Sequence, residues 1–121
     1  MINSSLGNIG TLLESSSDKS VATGGSTSIV SIPITAGKWI LSGHVSFTSH
    51  ATGIRRINIS GSSGSTGYMN AIQAVSGAAT ILPVSRIVEV TTPTTMYLNV
   101  YQNSGESLLC TGTLSAIKIS G

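Results

Sequence analysis

Two histidines, His44 and His50, and one thiol, Cys110, are the side chains of this chain best suited to proton or nucleophile chemistry near neutral pH. A Ser-His-Asp relay needs an acid placed to orient the imidazole. The single aspartate, Asp18, lies in a polar segment far from both histidines. Cys110 and His44 would make a thiol–imidazole pair, but nothing local activates the thiol, so a small buried or interface cysteine is expected. Glycoside cleavage needs two carboxylates across one site. From Thr27 onward only Glu89 and Glu106 qualify, one on an expected strand and the other in a turn. Structural zinc needs four ligands at recognisable spacing, which His44, His50 and Cys110 do not supply. A hydrogen-bonded imidazole is the simplest role for His44. The glycine-rich run Gly61–Gly67 (GSSGSTG) has no Lys-Ser/Thr after it and is no phosphate loop. No catalytic residue, metal or cofactor is expected.

Composition narrows the classes further. Only 8% of the 121 residues are charged, against about 25% in ordinary domains. Ser, Thr and Gly replace the missing charge, as in secreted, virion or oligomeric β proteins. So little repulsion between copies points to a specific oligomer. The net charge is +2, from scattered residues at 19, 38, 55, 56, 86 and 118, so nucleic acid is a poor partner. No run approaches the ~20 apolar residues of a membrane-spanning helix, and no membrane insertion is expected. The first residues lack a signal-peptide pattern, so export is expected by lysis or as part of a longer chain.

The elements that must position any site are strands. In Ala36–Thr48, Trp39, Leu41, Gly43, Val45 and Phe47 share one face, while Ile40, Ser42, His44 and Ser46 share the other. The first set suits a core. The second is mixed and uncharged, which suits contact with another protein surface. Ser28–Thr35 places Val30, Ile32 and Ile34 together, and Pro33 puts this strand at an edge or near an irregularity. Gly53–Ser60 sets Arg55 with Ile57 and Ile59, leaving Arg56 on the opposite face. One arginine is expected to pair with a carboxylate such as Glu89, and the other to grip an anionic glycan or phosphate. Further strands are expected over 68–75, 80–84, 86–91, 95–102, 107–111 and 113–120. Residues 27–121 thus read as an all-β jelly-roll β-sandwich of about eight strands. An immunoglobulin-like sandwich lacks the Cys…Trp…Cys spacing. Residues 1–26 read as an N-terminal stub and linker. Leu6, Ile9, Leu12 and Leu13 have the spacing of a short helix or coiled-coil stub, and the segment ends at Gly24–Gly25.

PITAGKWILSGHVSFTS (33–49), GIRRINIS (53–60) and TTMYLNVYQNSGESLLCTGTLSAIKIS (94–120) resemble the strands of C1q-like and TNF-like jelly rolls. The likeness runs over residues 20–121. With few aromatics and no Gly-X-Y repeat, it is most similar to the version in bacteriophage tail fibres and receptor-binding proteins. It implies a homotrimer. Met96, Leu98 and Val100 would face the sandwich core. Tyr97, Asn99 and Tyr101 would face neighbouring subunits together with Ile40, Ser42 and His44. Trp39 reads as core packing rather than a sugar platform.

The resemblance further implies a non-enzymatic host-recognition module, a trimeric head on a virion tail fibre or baseplate that binds bacterial surface saccharide. Candidate ligand residues are Tyr68 and Asn70 after the glycine-rich loop, Asn103 and Glu106 in the later turn, and Arg55 or Arg56. Two alternatives stand beside it. One is a purely structural trimerisation or capping domain that docks another virion protein. The other is a secreted C1q-like ligand of a protein receptor.

Overall fold

A computed structural model of the chain describes residues 9–74 and 76–121. Eight strands carry the fold: β1 (Leu12–Val21), β2 (Thr27–Ile34), β3 (Gly37–Phe47), β4 (Ile54–Ser60), β5 (Asn70–Gln73), β6 (Thr80–Val90), β7 (Thr94–Gln102) and β8 (Leu108–Ser120). They form two antiparallel sheets. Sheet I has the order β1-β8-β3-β6 and sheet II the order β2-β7-β4-β5. Successive strands cross from one sheet to the other at most steps, which gives a sandwich of jelly-roll type. The described residues contain no helix long and apolar enough to cross a membrane.

The alternation in β3 sets the core. Trp39, Leu41, Val45 and Phe47 are fully buried, and they meet Ile57, Ile59, Leu98 and Val100 from sheet II. Burying Trp39 leaves its indole N–H to be satisfied, and it donates to the Thr35 carbonyl at 2.9 Å. Close approach of the sheets depends on two glycines. A Cβ on Gly43 would come within 2.9 Å of the Leu98 methyl, and one on Gly112 would run into Ile29. Pro33 lies on β2, an edge strand, where sheets tolerate a residue without an N–H.

Two expectations need correction. The stub and linker over 1–26 is instead largely strand: β1 pairs with β8 over ten residues from Leu12↔Ile117 to Val21↔Leu108. Leu13, Ser15 and Ser17 are half-buried and Val21 is buried, a period of two masked by serines that carry no hydrophobic signal. Leu6 lies outside the described residues. The second correction concerns strand number. The pairs expected over 80–91 and 107–120 are each one continuous strand, β6 and β8, so the eighth strand is β1.

Side chains that donate to main-chain carbonyls join the two sheets along both flanks. Arg86 on β6 donates to the Ile59 carbonyl at 2.6 Å, and Asn70 on β5 donates to the Pro83 carbonyl at 3.0 Å. On the opposite flank Lys19 of β1 donates to the Ser28 carbonyl at 3.1 Å.

Candidate functional site

On the outer face of sheet II, β4 and β7 set Arg56 directly opposite Tyr101. The chain leaving the glycine-rich loop adds Tyr68, fixed because Met69 N–H donates to the Ile57 carbonyl at 2.9 Å. The three side chains form one cluster. The Arg56 guanidinium lies 5.6 Å from the Tyr68 ring centroid and 5.2 Å from that of Tyr101. The rings themselves are 5.7 Å apart and tilted by 50°. Both distances are within the range of a cation–π attraction. A shallow groove of about 430 Å³ adjoins them, bounded by Arg56, Thr66, Tyr68, Met69 and Asn70. Three of the candidate ligand residues, Tyr68, Asn70 and Arg56, thus lie near one another, and Tyr101 joins them from the set expected at a subunit interface.

Asn70 borders the groove, but its amide is already engaged. Its NH₂ donates to the Pro83 carbonyl, and its oxygen accepts from Ala71 N–H at 2.9 Å. Its part is to hold the β5 end in place.

Asn99 is a correction. Expected at a subunit interface, it is fully buried beneath loop 61–67. Its NH₂ donates to Asn58 Oδ1 at 2.9 Å and to the Ser62 carbonyl at 3.1 Å, and its oxygen accepts from Gly64 N–H at 2.9 Å. Asn58 in turn donates to the Ser65 carbonyl at 3.0 Å. The outer face of sheet II therefore carries its own loop as a cover, because an asparagine pair mid-sheet offers the polar contacts that a neutral Ser/Gly loop needs.

The other predicted ligand residues are elsewhere. Arg55 is buried at one end of the sandwich, donating to the carbonyls of Thr52 at 2.9 Å and His50 at 3.0 Å. The carboxylate pairing expected of one of the two arginines is made by neither Arg55 nor Arg56 among the described residues; Glu89 instead sits opposite Lys38 in the sheet I ladder. Asn103 Oδ1 accepts from Ile54 N–H at 2.6 Å, and its main chain packs so closely on Gly53 (φ +87°) that a side chain there would collide. Glu106 bonds His50 Nε2 at 2.9 Å. These three residues fasten loop 48–53 rather than share the groove. Burial pushes the Cys110 thiol up to about 12, with the nearby Arg55 charge opposing that rise, so Cys110 is held as an inert thiol.

The outer face of sheet I holds Ile40, Ser42 and His44, on the opposite side of the sandwich from Tyr97 and Tyr101. The six residues expected to form one interface are therefore not one surface. What sequence reading misses is the register. Leu12, Ile117, Ile40 and Ile87 stand opposite one another across all four strands, an apolar row with Leu12 and Ile87 each 63% exposed. The next row is Glu14, Ser115, Ser42 and Ser85, in which Ser115 donates to Glu14 at 3.0 Å. A groove of about 530 Å³ runs over this hydroxyl-rich part, past His44, to Asn70. Among the described residues no hydrogen bond joins His44 to Glu14, and no cluster of three or more His, Cys, Asp or Glu side chains is placed to hold a metal.

No protein-family model matches the chain, and no curated protein sequence does either. Solved structures do. The chain is similar in fold to part of a structure of infectious bursal disease virus Gx strain, with TM-score 0.58 and 16% identity over 87% of this chain and 31% of that one. It is also similar to the infectious bursal disease virus VP2 subviral particle (TM-score 0.57, 15% identity, 91% of this chain and 33% of that one). The Gt strain structure gives a TM-score of 0.54 at 18% identity, covering 93% and 32%. The chain spans about a third of the length of these viral proteins, and at such identity the likeness is one of fold: an all-β sandwich of the kind found in viral particles.

Proposed function

We propose that this chain is a non-enzymatic attachment module of a virion, a homotrimeric head on a bacteriophage tail fibre or baseplate that binds bacterial cell-surface saccharide through the outer face of sheet II. The observation that carries this reading is the Arg56–Tyr68–Tyr101 cluster beside an open groove. Aromatic rings offer a sugar's C–H faces a flat apolar contact, while phenol and guanidinium groups supply hydrogen bonds. The viral particle sandwiches of the same fold are compatible with a virion location, although fold alone never assigns function. Three sites on a trimer would add avidity to a weak individual contact.

The test is retention of the purified domain on bacterial envelope polysaccharide. Tyr68→Ala and Tyr101→Ala should each lower binding about fivefold or more while leaving the fold intact by circular dichroism. Binding unchanged in both variants would overturn the assignment of this face.

A second reading, a trimerisation or docking domain with no ligand of its own, is favoured by the apolar row on sheet I. A face with four aligned aliphatic side chains suits burial against another virion protein or a copy of the chain. Light scattering on a sizing column, combined with the absence of any polysaccharide binding, would favour it.

A further inference from the structure

Resting on the saccharide reading above, we infer that the sheet II surface selects carbohydrate bearing an anionic group, a carboxylate or a phosphate, with Arg56 as the residue that reads the charge. Arg56 is the charged side chain of the cluster. Its guanidinium lies near the two tyrosine rings, and among the described residues its N–H donors make no hydrogen bond or ion pair. Among the described residues the one ion pair, His50–Glu106, lies at the end of the sandwich. The acids of the chain are Glu14, Asp18, Glu89 and Glu106. The first three are on strands of sheet I and the fourth precedes β8, so sheet II and loop 61–67 contain no carboxylate at all.

A guanidinium drawn to two neighbouring rings is confined near them by cation–π attraction without being neutralised. Its fork of donors matches a carboxylate or a phosphate with two parallel hydrogen bonds, stronger than bonds to a neutral hydroxyl. Thr66 and Tyr68 line the adjoining groove with hydroxyls that suit the rest of a sugar ring. A neutral sugar would take single hydrogen bonds from this arginine, whereas an anionic one would also supply the charge partner that sheet II lacks in a chain only 8% charged.

The probes are polygalacturonate, its fully methyl-esterified form and poly(glycerol phosphate). The first two differ only in charge; the third separates phosphate from carboxylate as the source of the anion. We expect the wild-type domain to bind at least one charged polymer about tenfold or more tightly than the ester. Arg56→Gln should abolish that preference without lowering the melting temperature. Lys38→Gln, an equal loss of charge on sheet I, should preserve it. Equal binding of charged and neutral polymer, lost in Tyr68→Ala, would overturn the anion inference while sustaining saccharide attachment. A charge preference that Lys38→Gln weakens as much as Arg56→Gln would overturn it as mere attraction to net positive charge. Absence of binding to all three polymers, together with no binding to envelope polysaccharide, would overturn both readings.

Discussion

The two outer faces of this sandwich begin from the same alternation of inward and outward residues, yet they end as different kinds of surface. Sheet II lays loop 61–67 over its centre, and Asn99 and Asn58 bond that loop from below. What stays open beside the loop is an arginine clustered with two tyrosines. Among the described residues sheet I receives no such cover, and it displays one aliphatic row followed by hydroxyl-rich rows that include Glu14 and His44. Outward-facing is a statement about a strand; exposed is a statement about what the rest of the chain lays over it. A buried polar outward residue therefore signals a self-covered face, and an exposed apolar row signals a face left for something else.

The largest effect should come from removing the cover. Asn99→Ala leaves Asn58, Ser62 and Gly64 with broken bonds beneath the loop, and should cost about 3 kcal/mol in urea unfolding. If it costs less than ~1 kcal/mol, the loop is not fastened as described and the contrast between the faces fails. On the uncovered side, Ile40→Asp places a charge at the middle of the apolar row. Any self-association through sheet I should then fall at least about tenfold by light scattering, with the monomer still folded. An assembly that tolerates this change does not use that row.

A third test concerns the interior shared by both faces. The Cys110 thiol titrates near 9 in an unfolded chain and near 12 in the fold, so between those values the unfolded state has lost a proton that the folded state retains. Stability should be complete below about pH 9 and should decline as pH rises toward 12. Cys110→Ala should remove that part of the slope, and an identical slope in the variant would place its origin elsewhere. The smallest effect sharpens the comparison directly. Ser42→Ala, central on sheet I as Asn99 is on sheet II, should change stability by no more than ~0.5 kcal/mol. A cost near that of Asn99→Ala would mean that the hydroxyl rows are fastened too.

How much of this the sequence discloses depends on how local each feature is. The β3 alternation, the edge position of Pro33 and the opposite faces of Arg55 and Arg56 follow from neighbours along the chain, and the structure has them as read. β1 escapes because Ser15–Ser17 carry no hydrophobic period, so a strand looks like a linker. The burial of Asn99 depends on a loop nearly forty residues earlier. The apolar row depends on pairing among β1, β3, β6 and β8, which brings together Leu12, Ile40, Ile87 and Ile117 only once register is set. Arg55, Asn103 and Glu106 have the polarity of ligand residues, but geometry gives them the work of fastening loops.

The flanking seams of the sandwich have a consequence for how such a chain can change over generations. Arg86, Asn70 and Lys19 each reach across to a main-chain carbonyl rather than to a side chain. A carbonyl is present whatever amino acid carries it, so the receiving positions, Ile59, Pro83 and Ser28, are under no demand from the seam to keep their identity. Only the donor side is constrained. A sandwich closed in this manner can vary at the accepting positions of its seams while the donors that reach across, Gln102 to the Val21 carbonyl among them, keep the two sheets joined.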